Sequence, residues 1–97
     1  MKHFFRTHLT PVEALAVGDT FFPAMDMKQA AGGARTRTFT GALGTMKMQI
    51  RPEGGHYTMV EVETDQMGES RLDRNVKRFF VDLHRKADPG HLLEAAY

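Results

Sequence analysis

The chain is expected to fold as a single two-layer α+β domain, an antiparallel sheet of about four strands in the order β-α-β-β-β-α packed against a long C-terminal helix. Three observations predict this. Leu72, Val76, Phe79, Phe80, Leu83 and Ala87 recur at the 3.6-residue spacing of one helix face. Met46, Met48 and Ile50 alternate with Lys47, Gln49 and Arg51, the pattern of a strand with one wet face. The 97 residues suffice for one core rather than two domains, at a size where burial is thin and association with a second copy helps.

Each element has its own local reason. Residues 2–9 place Phe4 and Phe5 in a short aromatic-rich run that reads as the first strand. Thr10-Pro11-Val12-Glu13 is a helix start: Thr10 caps, Pro11 suits the first turn, and Glu13 reaches back to complete a capping box. Gly18 reads as the stop of this short helix, with Asp19-Thr20 capping a further turn through Phe21 and Phe22 before Pro23. The stretch 26–34 lacks large apolar residues beyond its first positions and reads as a flexible loop.

From Arg35 the pattern is a meander. Residues 35–43 and 45–51 form two strands, Pro52-Glu53-Gly54-Gly55 a hairpin loop, and the following segment the last strand. A three-residue loop at 53–55 sets Ile50 against Thr58, Met48 against Val60 and Met46 against Val62, with Lys47 opposite Glu61 and a glycine at positive φ. The final helix is capped by Ser70 with Asp73 and stopped by Asp88-Pro89-Gly90, leaving 89–97 as a C-terminal tail.

Composition excludes several kinds of chemistry. There is no cysteine, which removes disulfides, thiolate nucleophiles and cysteine-based metal sites, and fits a cytoplasmic protein. Thirteen Lys plus Arg against twelve Asp plus Glu leave a net charge of +1, so the global field of a dedicated nucleic-acid binder is missing. No run is long and apolar enough for a membrane span, and none has the form of a signal peptide. The histidines at 3, 8, 56, 84 and 91 show no HxH or HxxxH spacing, so no metal site is expected; Glu61, Glu63 and Asp65 read as a solvated strand face. Ser70 is the sole serine and is accounted for as a cap, and Gly32-Gly33 lacks the GK[ST] signature of a nucleotide loop. An enzyme and a cofactor are therefore not expected; the residual enzymatic reading is His56 or His84 working with a nearby carboxylate.

Two surfaces remain as candidates. The first is an apolar pocket between sheet and helix, lined by Met46, Met48, Val60, Val62, Leu72, Val76, Phe79, Phe80 and Leu83, for an apolar small molecule. The second is the basic back of the last helix, Arg71, Arg74, Arg78 and Arg85, as an alternative surface for RNA or DNA phosphates. Asp73 and Asp82 stand four residues before Lys77 and Lys86, and in that register they neutralise part of the patch. Met59 and Tyr57 fall on the sheet face opposite Val60 and Val62, which a second subunit would explain.

The order of elements carries a resemblance. KHFFRTHLTPVEAL, followed by the meander GTMKMQIRPEGGHYTMVEVET and one long amphipathic C-terminal helix, resembles the START-like (SRPBCC, helix-grip) superfamily. That resemblance implies a curved antiparallel sheet around the last helix with apolar ligands held between them. The chain is too short for the family's usual seven strands, which favours a homodimer that completes the sheet or covers the helix. The α-β-β-β-α part also resembles double-stranded RNA-binding domains in topology, but Arg71-Leu72-Asp73-Arg74 stands where their lysine cluster is expected.

Overall fold

The computed structural model describes residues 1–89. Its elements are β1 (Lys2–Thr7), α1 (Pro11–Phe21), a single 3-10 turn (Pro23–Met25), β2 (Lys28–Gly32), β3 (Thr36–Gly41), β4 (Gly44–Glu53), β5 (Tyr57–Thr64) and α2 (Arg71–Ala87). The strands make one antiparallel sheet in the order β1-β5-β4-β3-β2, so the first strand closes against the last and the rest form a meander. Helix α2 packs on β1 and β5, while α1 packs on β4 and on α2, which puts both helices on one side of the sheet. From residue 90 onward, the expected tail lies outside the described residues.

Both helices begin at the capping boxes expected of them. In α1 the Glu13 amide donates to the Thr10 hydroxyl at 3.2 Å and the Thr10 amide to the Glu13 carboxylate at 2.9 Å. Gly18 does not end α1; the helix runs on to Phe21 in one piece. The glycine serves close packing instead, since a Cβ there would lie 2.7 Å from Met48 Cε. Its lack of a side chain lets α1 settle against β4, with Ala14 and Leu15 buried on the same side.

The sheet corrects two expectations. Lys28–Gly32, inside the stretch read as a flexible loop, is a fifth strand, β2. All five of its residues are exposed, and it is held by its backbone ladder to β3, interrupted by an irregularity between Gln29 and Ala31. A strand that buries no side chain leaves no apolar alternation in the sequence, and the exposed lysine and the bulge suit an unprotected sheet edge. The second correction is register. Ile50 pairs with Val60, Met48 with Val62, Met46 with Thr64 and Lys47 with Glu63, two residues away from the expected pairing. The strand continues through Pro52 and Glu53, and the loop is Gly54-Gly55-His56, with Gly55 at φ 74° and His56 at φ 65°. Pro52 is tolerated because the Ile50 amide points toward Arg35, bonding its carbonyl at 2.9 Å, and position 52 faces the same way just beyond the start of β3. A shift of two leaves every side chain on its expected face.

The core lies between the helices and the inner sheet face. Phe22 joins its parts: its ring stacks on Phe39 of β3 at 5.3 Å and meets Phe79 of α2 at 5.0 Å between centroids.

Candidate functional site

The nine residues expected to line an apolar pocket do converge. Met46, Met48, Val60 and Val62 face inward from β4 and β5, and Leu72, Val76, Phe79, Phe80 and Leu83 come down on them from α2. All nine are buried in one cluster with Leu9, Ala14, Leu15, Phe22, Met27, Phe39 and Ile50. None of them borders the grooves described below, and methionine here fills core space.

A polar cluster that the sequence reading missed lies at one end of this core. Asp73, 0% exposed, accepts from the Ser70 hydroxyl at 2.7 Å on one oxygen; on the other it meets His3 Nε2 at 2.8 Å and accepts from the Thr64 hydroxyl at 2.8 Å. Contact with a carboxylate requires Nε2 to carry the ring proton. Burial works to raise the Asp73 pKa, but the hydrogen bonds from His3, Ser70 and Thr64 outweigh it and hold the carboxyl below its ordinary value. The serine and the histidine bond to opposite oxygens of the aspartate, so the imidazole is not placed to take the serine proton, as nucleophilic catalysis needs. The cluster instead fastens β1 and β5 to the N-terminus of α2, and the Met1 ammonium adds bonds to the Thr64 and Gln66 carbonyls at 2.9 Å each.

This placement corrects the expected charge balance on α2. Asp73 does not pair with Lys77, whose ammonium meets Glu69 at 3.1 Å. Arg71, Arg74, Arg78 and Arg85 are all exposed, and no ion pair among the described residues involves them.

The helical layer has an open outer surface. A groove of about 530 Å³ runs between α1 and α2, with Val12, Ala16, Val17 and Phe21 as its apolar lining and Glu13, Asp82 and Lys86 at its edges. Val12 stands 77% exposed beside it. The Thr10 amide and hydroxyl hold the Glu13 carboxyl below its ordinary value, so this edge stays anionic. A smaller recess of about 320 Å³ continues past Phe21 to Arg78 and Arg85, over the buried Val81.

Two other regions received expectations. His84 shares a groove of about 410 Å³ with Arg6, His8 and Asp88, whereas His56 is exposed in the hairpin loop. No three metal-capable side chains cluster among the described residues. On the outer sheet face, Phe4 is 54% exposed and the Tyr57 ring meets that of His8 at 4.4 Å in a tilted contact, beneath the Arg6 guanidinium at 5.6 Å. Two ion pairs lie on that face, Arg6 with Glu53 at 3.0 Å and Arg51 with Glu61 at 3.8 Å. No helix among the described residues is long and apolar enough to cross a membrane. No protein-family model matches the chain and no curated protein matches it, so the functional reading rests on this geometry.

Proposed function

We propose that the chain is a non-enzymatic homodimeric interaction domain of shortened helix-grip plan, joined to a second copy through the outer side of α1. The closing of β1 on the last strand, with both helices on one sheet face, supports the helix-grip part. The observation that carries the dimer is that α1 is apolar on two sides. Ala14, Leu15 and Gly18 face the core, and Val17 packs half-buried at its edge, yet Val12 and Ala16 stand exposed on the outer side. An apolar ridge left on the outer side of a helix is surface that a partner can cover. Its charged residues are occupied locally, Glu13 in the capping box and Asp19 by Arg37 at 2.9 Å.

A second copy fits this patch because ridge and groove occur together. The Val12-Ala16 ridge of one protomer faces the groove between α1 and α2 of its partner, and a twofold axis makes the contact reciprocal. Glu13 on the α1 rim and Asp82 with Lys86 on the α2 rim give each protomer both signs of charge to set against its partner's. The groove volume of about 530 Å³ also lies in the range of small-molecule sites, roughly 300–1,000 Å³, which keeps an apolar small molecule as the competing occupant. Sedimentation velocity over a concentration series is the test. A reversible dimer, converted to a folded monomer by Val12→Glu with Ala16→Glu, is the expected result. A wild-type monomer at every concentration defeats the dimer, and a melting temperature raised by decanol in the wild type but not in the variant assigns the groove to the small molecule.

A further inference from the structure

We propose that the exposed side of α2 is a binding surface for nucleic-acid phosphates, contacted through Arg71, Arg74, Arg78 and Arg85 without regard to base sequence. At 3.6 residues per turn these four arginines fall within a sector of about 60°, opposite the apolar stripe, and at 1.5 Å per residue they extend over roughly 21 Å of helix. They differ from Arg6, Arg37 and Arg51, each of which faces a carboxylate. Asp73, which α-helical spacing assigns to Lys77, is turned into the core by His3, Thr64 and Ser70, and Asp82 remains as the acid beside the row.

Arg71 and Arg74, and Arg74 and Arg78, stand three and four residues apart and repel one another on the helix, a cost that an anion over the row relieves; Asp82 offsets charge only at the Arg78–Arg85 end. An extended polyanion fits a row of this length better than a single small anion does. Guanidinium forks match phosphate oxygens in pairs. Among the described residues the sector holds no exposed aromatic ring on which a base could stack and no exposed large apolar residue that could enter a bilayer; Phe21, beside Arg78 and Arg85, is half-buried. Phosphate contacts alone give affinity that depends on salt rather than on sequence.

The full chain, titrated into fluorescently labelled duplex DNA across a salt series, tests the assignment. With a slope near −0.9 per phosphate contact, four contacts give a log–log salt slope of about −3.6. Arg74→Gln with Arg78→Gln is expected to bring the slope to about −1.8 and to lower low-salt affinity at least tenfold, whereas Lys47→Gln on the opposite sheet face leaves both unchanged. Absence of binding at low salt overturns the proposal, as does a slope that the arginine changes do not move. Tighter binding to phosphatidylserine vesicles or to polyglutamate than to DNA overturns it too. Repeating the titration with the Val12→Glu, Ala16→Glu monomer keeps it separate from dimerisation: DNA binding that survives in the monomer supports it, and binding confined to the dimer overturns it as a property of α2 itself.

Discussion

The two helices lie on the same face of the same sheet and solve opposite problems. Helix α2 sorts its residues cleanly, with Leu72, Val76, Phe79, Phe80 and Leu83 buried and arginines outside. Helix α1 buries only Ala14, Leu15 and Gly18, all but one of them small, and leaves Val12 and Ala16 exposed. Area removed from water sets the apolar contribution to stability. The difference therefore assigns most of the helical layer's hold on the sheet to α2 and leaves the outer side of α1 uncovered.

Truncation inside α2 is the sharpest way to test that division. Phe79 is fully buried and its ring meets those of Phe21, Phe22 and Phe80. Phe79→Ala is expected to lower the unfolding free energy by about 3–5 kcal/mol in urea titrations. The Val12→Glu change on α1 is expected to move it by less than about 0.5 kcal/mol when measured on the monomer. A small effect at Phe79, or a large one at Val12, would break the comparison.

The next largest effect is expected where α2 is fastened at its N-terminus. Asp73→Asn removes the charge from the hydrogen bonds with His3, Thr64 and Ser70, a loss of about 2 kcal/mol. The folded pKa of Asp73 lies below its unfolded value, so its contribution is complete above about pH 4 and is lost as the pH falls through the folded value. The gap between wild type and Asp73→Asn should accordingly be constant at neutral pH and close in acid. A gap that widens in acid is incompatible with a lowered Asp73 pKa.

How much of this was legible follows the same contrast. The apolar periodicity of α2 and the alternation in β4 announced themselves because their side chains are buried on one face, and the cap at Ser70 is a local pattern. Strand β2 was not legible, since its residues are all exposed and backbone pairing to β3 writes nothing into the sequence. Face parity in the hairpin was readable, but the pairing depended on a loop that places His56, a non-glycine residue, at φ 65°. Half of the polar cluster was visible as Ser70 and Asp73. The other half, His3 and Thr64, comes from the sheet, His3 from the opposite end of the chain, and without them the aspartate reads as a surface partner for Lys77. The arginine row is legible in the helical spacing; that Glu69 rather than Asp73 meets Lys77 follows only from where Asp73 points.

Gly18 supplies the smallest and most discriminating test of how α1 sits. In an exposed helix interior, Gly→Ala stabilises by about 1 kcal/mol through propensity alone. Here the new methyl meets Met48 Cε at 2.7 Å and Sδ at 3.2 Å, with Phe79 Cζ at 3.6 Å behind them, so the fully buried methionine has little room to yield. Overpacking of this kind costs about 1–3 kcal/mol, which leaves a net loss of about 1 kcal/mol for Gly18→Ala. Met48→Leu shortens the side chain that stands in the way, so in that background the same change should be neutral or stabilising, a coupling that a double-mutant cycle measures directly. If Gly18→Ala stabilises the wild-type protein, α1 does not sit tightly on β4, and Gly18 is a plain helix weakness rather than the contact that seats the helix.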